Sequence, residues 1–573
     1  MTFAPQKDEA IGTINSVISR SIVKGVWNDG DNTYLTIRQE ARNSLPLSST
    51  SSTLIVPLTN PNLDFVQFDK SFIRINSRIL FSLDGFEPYD SEEEPSTPVD
   101  SEGGEEEPEH PWDDENIPKK LYLFIGLKHS SDFIGEYAVY HKGKQVSGTL
   151  QSNATVESFL YHTYRQAGDL VNRANIHSIA EKVAQGDNIS VCGQYVSLAE
   201  IQANSNAAQL GGTLGVDFSF DIPFNDILIF QQFQSYPAAL FGDLEIRLKV
   251  NPRALVCLTC NPLDLIKQNC IQSEDGTIKA ISNLYEIYGA GYTKEYTQLG
   301  DTFQTILHGK MDDDKLVLKV GAVSLSFKGI TISDCYSVLT GYRARPDALE
   351  KMREKFEKNP WVKFSQNINY LQFSQKPSSG GLNMTQQVYL NNTTDFILLF
   401  PTTANEAGGT VYKNPMLTDL SMTAMNRKYP EVGLETCSPE FLHIMLNSSR
   451  GTPLKEYADS LSLLRWNGEG YFGCDVDRTS FLISLKVERP SAMGLICDGL
   501  DSKGYQVPVR LQASPTYTNC QYDEYCGNTD GTVPPPILIT VNDSYFIFNS
   551  KDGGQCLYSN RPFNDTVKTF MEQ

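Results

Sequence analysis

The stretch Asp243-Leu244-Glu245-Ile246-Arg247-Leu248-Lys249-Val250 constrains the fold more than any other part of the chain. Leu244, Ile246, Leu248 and Val250 fall on one side of an extended backbone, and Glu245, Arg247 and Lys249 on the other. A period of two marks a strand with one face on a core and one in water, the usual pattern of an antiparallel sheet. Further strand signals lie at Ser71–Phe81, where Ile73 and Ile75 flank Arg74, and at Lys120–Ile125, Leu214–Phe220, Lys315–Val320 and Val323–Phe327. A mainly β chain built from packed antiparallel sheets follows.

Helical spacing interrupts twice. Val156, Phe159, Leu160, Ile176, Ile179 and Val183 recur at three-to-four intervals between Thr155 and Ala184, with Gly168 as a break. Pro346 to Glu357 carries an apolar stripe of Leu349, Met352 and Phe356, has Pro346 in its first turn, and is stopped by Asn359-Pro360. Asp347–Lys351 and Glu354–Lys358 are i,i+4 pairs on its other side.

At 573 residues the chain exceeds a single ordinary core. The segment Leu248-Lys249-Val250-Asn251-Pro252 is echoed 237 positions later by Leu485-Lys486-Val487-Glu488-Arg489-Pro490. Phe481, Ile483, Leu485 and Val487 alternate there as Leu244 to Val250 do. Each half therefore reads as strands, a helical insertion, strands and a closing strand, which predicts two similar sandwiches in tandem. The expected division is an N-terminal arm over 1–58, a first sandwich over 59–255, a linker over 256–300, a second sandwich over 301–515 and a Pro- and Cys-containing tail over 516–573.

Charge is concentrated. The net charge is −21, and Phe86 to Pro118 holds fourteen carboxylates with no Lys or Arg, leaving −7 elsewhere (−21 + 14). The stretch is rich in Glu, Ser, Pro and Gly, and reads as a long loop inserted between two strands. No Lys/Arg run offers the basic face that phosphate binding needs, so direct nucleic-acid binding is not expected. Met1 to Asp8 lacks the apolar core of a signal peptide. Ile227–Phe230 and Phe396–Phe400 are the most apolar short stretches and fall far short of the roughly 18 residues of a membrane span. The expectation is a soluble protein made in the cytosol, with no transmembrane segment and its eleven cysteines mostly reduced.

The motifs with chemical meaning lack their context. Gly468-Glu469-Gly470-Tyr471-Phe472-Gly473 spells a dinucleotide pattern, but a strand signal follows where a helix is required. Cys257-Leu258-Thr259-Cys260, with Cys270 nearby, has no second paired knuckle to complete a zinc site. Asp312-Asp313-Asp314 and Asp29/Asp31 do not match a calcium loop. Asp475 and Asp477 read as a turn rather than a glycosidase pair. The histidines, His110, His129, His141, His162, His177, His308 and His443, fall in no metal or nucleophile motif. Cys520, Cys526 and Cys556 lie together in the tail, where a bridge would suit an oxidising exterior. No catalytic, cofactor-binding or metal-binding residue is assigned, no cofactor is expected, and the chain is not expected to be an enzyme.

Two segments carry a family likeness. Asp221-Ile222-Pro223-Phe224-Asn225-Asp226-Ile227-Leu228-Ile229-Phe230, continued by Gln234-Ser235-Tyr236-Pro237-Ala238-Ala239-Leu240-Phe241-Gly242-Asp243-Leu244, resembles the stretch before the closing strand of the first roll in double jelly-roll viral major capsid proteins. The pattern is similar to that of the virophage, Polinton/Maverick and adintovirus-like members. Asp477-Arg478-Thr479-Ser480-Phe481-Leu482-Ile483 through Arg489-Pro490-Ser491-Ala492 is similar to the matching place in the second roll, and the order of elements fits over Leu54 to Ser514. The acidic insert and the cysteine tail are not features of the family as a whole. The resemblance implies two tandem antiparallel jelly rolls with short helical insertions. It also implies a homotrimer with a pseudo-hexagonal outline that tiles an icosahedral shell, with neighbouring capsomers and penton or minor capsid proteins as partners. The protein would then reside in the virion after synthesis in the host cytoplasm. A carbohydrate- or receptor-binding β-sandwich is the alternative, and a β-sandwich glycoside hydrolase is a third.

Overall fold

The computed structural model describes residues 33–43, 45–47, 53–86, 122–146, 153–163, 193–197, 213–230, 235–251, 254–260, 271–272, 278–279, 297–298, 302–312, 315–358, 360–375, 381–401, 409–410, 412, 414–415, 417–436, 438, 441, 481–487, 489–490, 497–515, 535–549 and 554–561. In chain order the principal strands of the first half are β1 (Thr33–Glu40), β2 (Leu54–Pro57), β3 (Phe72–Phe86), β4 (Tyr122–Gly126), β5 (Ile134–His141), β6 (Gly193–Ser197), β7 (Thr213–Pro223), β8 (Leu244–Val250), β9 (Val256–Cys260), β10 (Thr302–Asp312) and β11 (Lys315–Arg343). Those of the second half are β12 (Trp361–Gln372), β13 (Leu382–Tyr389), β14 (Thr393–Leu399), β15 (Leu417–Ala424), β16 (Arg427–Leu434), β17 (Ile483–Lys486), β18 (Gln506–Pro515), β19 (Ile537–Asn549) and β20 (Gln555–Ser559). Two helices matter to the argument, α1 (Ala154–Thr163) and α2 (Pro346–Lys358).

The strands form two sandwiches with the same wiring. In the first, one sheet runs β1-β11-β3-β7 and the other β2-β8-β5 followed by the short Lys144–Gln145 strand. In the second, the sheets run β12-β19-β14-β17 and β13-β18-β15-β16. Numbered in chain order within each half, the eight sandwich strands read 1-8-3-6 in one sheet and 2-7-4-5 in the other, both times. This is the two-sheet, eight-stranded jelly roll, occurring twice in one chain. The alternation in the sequence supplies each core. Ile73, Ile75, Ile222, Leu339, Tyr137, Val139, Ile246 and Leu248 meet between the first pair of sheets, and Phe396, Leu398, Ile539, Met384, Val388, Met422, Val509 and Leu511 between the second. Each such side chain, fully buried, contributes about 1.5–3 kcal/mol.

The expected boundaries need correction, because hydrogen bonding and not sequence order decides membership of a sheet. Thr33–Glu40 and Leu54–Pro57, read as part of an arm, are the first two strands of the first sandwich, with Thr33 opposite Arg343 and Ile246 opposite Val56. The eighth strand of that sandwich is the C-terminal half of β11, which the division at 301 assigned to the second sandwich. Val256–Cys260, in the expected linker, pairs with β4. Ile537–Asn549, in the expected tail, is an inner strand of the second sandwich and pairs with β12 along its length. The 237-residue echo joins strands that are not equivalent. Leu244–Val250 is the seventh strand of its sandwich, whereas Ile483–Lys486 is the sixth, and the true counterpart of β8 is Gln506–Pro515. Short amphipathic strands share one pattern whatever their place in a sheet.

β11 has 29 residues, so its first half runs on past the sandwich and pairs with β10 and with the end of β3. Phe86, opposite Val323, and Tyr122, opposite Ser197, are the described residues that flank the acidic insert. The insert itself, Glu87 to Pro118, lies outside the described residues, as does the helical reading beyond Thr163.

Candidate assembly site: the seam and the outer faces

α1 belongs in sequence to the first half, yet its apolar side enters the second. Val156, Phe159 and Leu160 follow i, i+3, i+4 spacing, lie on one face, and are buried in the second core. The Phe159 ring meets Tyr412 edge-on at 4.8 Å. The other side of the helix is tied to the first half by polar contacts. Thr155 Oγ1 donates to the carbonyls of Asp132 (3.1 Å) and Ile134 (2.9 Å), and Ser158 Oγ donates to Asp132 Oδ1 (2.7 Å). Glu157 accepts from Tyr137 OH (2.9 Å) and from the Leu228 amide (2.6 Å). Burial, with Glu157 beside it, pushes the Tyr137 hydroxyl well above its ordinary pKa. Lys128, buried, donates from Nζ to the Thr410 carbonyl (2.9 Å) in the second half.

Within this network the His129 and His162 rings stack at 3.9 Å. Ser131 Oγ lies 2.9 Å from His162 Nε2, and Asp226 Oδ2 lies 3.6 Å from the same nitrogen. A Ser–His–Asp relay needs the carboxylate on the opposite ring nitrogen and a nucleophile that substrate can reach. Here both partners approach Nε2, and Ser131 is only 2% exposed. The arrangement therefore orients α1 and is not set up to activate a nucleophile.

The second part of the seam is aromatic. Phe241 stacks on Trp361 at 5.2 Å, Trp361 meets Phe548 at 5.2 Å, Tyr236 meets Phe548 at 5.5 Å, and Phe356 of α2 meets Phe241 at 5.5 Å. His141 Nε2 donates to the Phe241 carbonyl (2.7 Å), and Ser365 Oγ of β12 donates to the Ile229 carbonyl (3.3 Å). Leu228, Ile229, Tyr236 and Phe241 all come from the first segment that carries the family resemblance. That segment is thus the first sandwich's half of the seam. Burial raises the Tyr236 hydroxyl well above its usual range.

The outer faces differ in charge. On the first sheet of the first sandwich, Arg74 forms a two-pronged pair with Asp221 (2.6 Å on both arms) and Arg38 lies over Tyr336 at 3.6 Å. Arg78 faces Asp217 at 3.5 Å. On its second sheet, Glu245 accepts from Arg42 (2.7 Å) and Arg247 (2.8 Å), and Lys249 pairs with Glu136 at 3.0 Å. The outer face of β13 and β18 carries one charge, Arg510, beside Asn383, Thr385, Gln387, Tyr389, Gln506 and Gln512.

No family model matches the chain, and no curated protein does. Solved structures do. A cryo-EM structure of the Sputnik virophage aligns at 12% identity over 93% of this chain and 88% of that one, with a TM-score of 0.42. The mavirus major capsid protein aligns at 9% identity over 93% and 92%, with a TM-score of 0.39. The structure of PBCV-1 VP54 fitted into the Sputnik reconstruction aligns at 9% identity over 92% and 97%, with a TM-score of 0.43. The solved structures that this chain resembles are double jelly-roll viral major capsid proteins. The doubled jelly roll itself rests on the strand pairings of this chain and not on those alignments.

The motifs weighed in the sequence scatter. Gly468–Gly473, Asp475, Asp477, Asp29, Asp31, Cys270, Cys520, Cys526, His110, His177 and His443 lie outside the described residues. Cys257 and Cys260 sit in one extended strand, without the turn that a zinc knuckle makes between its ligands. Asp312 ends β10, and His308 lies within it. Cys556 is a free thiol on β20. Sequence reasoning missed the cluster of Ser131, His162 and Asp226, because its members are 31 and 64 positions apart and share no local pattern.

Proposed function

We propose that this chain is the structural major capsid protein of an icosahedral virus, three copies forming a pseudo-hexameric capsomer. The observation that carries the reading is the repeated 1-8-3-6 and 2-7-4-5 wiring, with the two sandwiches joined by a packed seam. Two like-folded units per chain, arranged about a threefold axis, place six similar units in a ring, and heterologous contacts close that ring. Its partners are two further copies, neighbouring capsomers, and penton or minor capsid proteins. It is made in the host cytoplasm and resides in the virion. The function is mechanical and involves no catalysis.

The test is the mass and shape of the purified full chain. Light scattering after size exclusion is expected to give three times the chain mass of 63.9 kDa. Negative-stain images are expected to show hexagonal particles or arrays. A protein that stays monomeric at high concentration and forms no arrays would overturn the reading.

A further inference from the structure

A sheet edge offers unpaired backbone groups, and natural proteins protect such edges with charges, proline, bulges or a covering element. The second sandwich treats the two edges of its β13-β18-β15-β16 sheet differently. β16 carries Arg427, Lys428, Pro430 and Glu431, and its pairing with β15 is broken by a bulge between Leu420 and Met422. β13, at the opposite edge, reads Leu382-Asn383-Met384-Thr385-Gln386-Gln387-Val388-Tyr389. It has eight residues, no charge and no proline, and it pairs without interruption with β18. Among the described residues no strand pairs with its other side. Its outward side chains are Asn383, Thr385, Gln387 and Tyr389, the last 49% exposed.

The occupant follows from charge. The chain carries −21, so two copies repel wherever their charged surfaces meet. The outer faces of the first sandwich carry Arg74–Asp221, Arg78–Asp217 and Lys249–Glu136 pairs, and covering these would strip water from charged groups. The face of β13 and β18 bears only Arg510, whose guanidinium donates to Asn383 Oδ1 (3.2 Å). Interface centres are depleted in charge and enriched in tyrosine. This is the face at which a like-charged copy approaches at least cost.

We infer that the β13 edge, with the uncharged face it shares with β18, is the surface through which the second sandwich docks on another copy of this chain. The inference rests on the capsid reading and adds which flank makes the contact.

The experiment compares the full-length protein with T385E/Q387E, which sets like charges on the edge, and with S219E, which adds charge to the outer face of the first sandwich. Sedimentation over a concentration series gives the association, and circular dichroism checks the fold. T385E/Q387E is expected to weaken self-association about tenfold or more, and S219E to leave it within about twofold. Hydrogen exchange on the unaltered protein supplies a second measurement, independent of whether the variant folds. Amides of 382–389 are expected to gain protection on going from dilute to associated protein. If the unaltered protein associates while neither the variant nor the exchange at 382–389 responds, the β13 inference is wrong and the capsid reading stands. If the unaltered protein does not associate at all, both fail.

Discussion

Lys363 lies on β12 with its ammonium 5.0 Å from the centre of the Trp361 ring. The side chain retains some exposure, but the packed seam around it strips most of the ammonium's hydration and lowers its pKa to about 8. An unfolded lysine holds its proton to about 10.4. This residue therefore costs stability below pH 8, and the cost fades as pH rises from 8 towards 10. Lys363→Met is expected to stabilise the protein at pH 7 by on the order of 1–2 kcal/mol, the partial exposure tempering the full shift. The check is a denaturant titration at pH 7, where a loss of stability would contradict the account. His141 works in the opposite pH range. Burial lowers its pKa, only partly offset by its bond to the Phe241 carbonyl. The folded protein holds the neutral ring, and the unfolded chain takes up the proton first. Stability present above about pH 6.5 is then lost as pH falls below it. Melting temperatures between pH 7.5 and 5 should show a His141-dependent slope that flattens in His141→Gln.

At the scale of the element, α1 and β19 decide whether the two sandwiches stand or fall together. Phe159 is 2% exposed, and it belongs to the first half while packing in the second. Phe159→Ala is expected to cost about 3–5 kcal/mol, the range for removing a buried aromatic ring. Hydrogen exchange should rise in second-half strands, although the substitution lies outside them. A change confined to the first half would show that α1 does not couple the two. β19 is buried along its length except at Asn549. One of its faces lines the second core through Ile539 and Val541, and its far end reaches the first core through Phe546 and Phe548. Truncation after Pro515 removes the partner that β12 and β14 share. The truncated chain is expected to be insoluble or to lose the cooperative melting of the second sandwich. A soluble product with native β circular dichroism would refute the inner placement of β19.

For the whole molecule, long-range electrostatics set how readily copies meet. Fourteen of the carboxylates lie in the sequence between Phe86 and Tyr122, outside the described residues. Replacing 87–118 by a short Gly/Ser linker takes the net charge from −21 to −7 (−21 + 14) without touching a described strand. At 0.1 M salt the screening length is about 10 Å, so repulsion between inserts on adjacent copies is strongest in dilute buffer. Self-association of the full chain should strengthen as salt rises from about 20 to 200 mM. The shortened chain should associate well in dilute buffer and respond less to salt, which sedimentation at two ionic strengths will read. Equal salt responses in the two proteins would place the insert away from the contacts.

The alternation of Leu244 to Val250 and its relatives is a local property, because side chains on an extended strand point to opposite faces whatever surrounds them. From it the β class and the sandwich architecture were legible, the doubling was reached through the order of elements and an echo between strands that proved not equivalent, and Pro346 with Leu349, Met352 and Phe356 marked α2 almost to its last residue. Membership of a sheet is a property of pairing. Nothing local in Thr33–Glu40 or Ile537–Asn549 says that each completes a sheet with residues roughly 170 to 300 positions away, so the boundaries expected at 58, 255, 301 and 515 gave way once the tertiary pairing was known. The seam is of the same kind. Its apolar members are visible in the sequence as ordinary core residues, but that Phe159 of one half and Tyr412 of the other share a contact is decided by how two finished sandwiches pack.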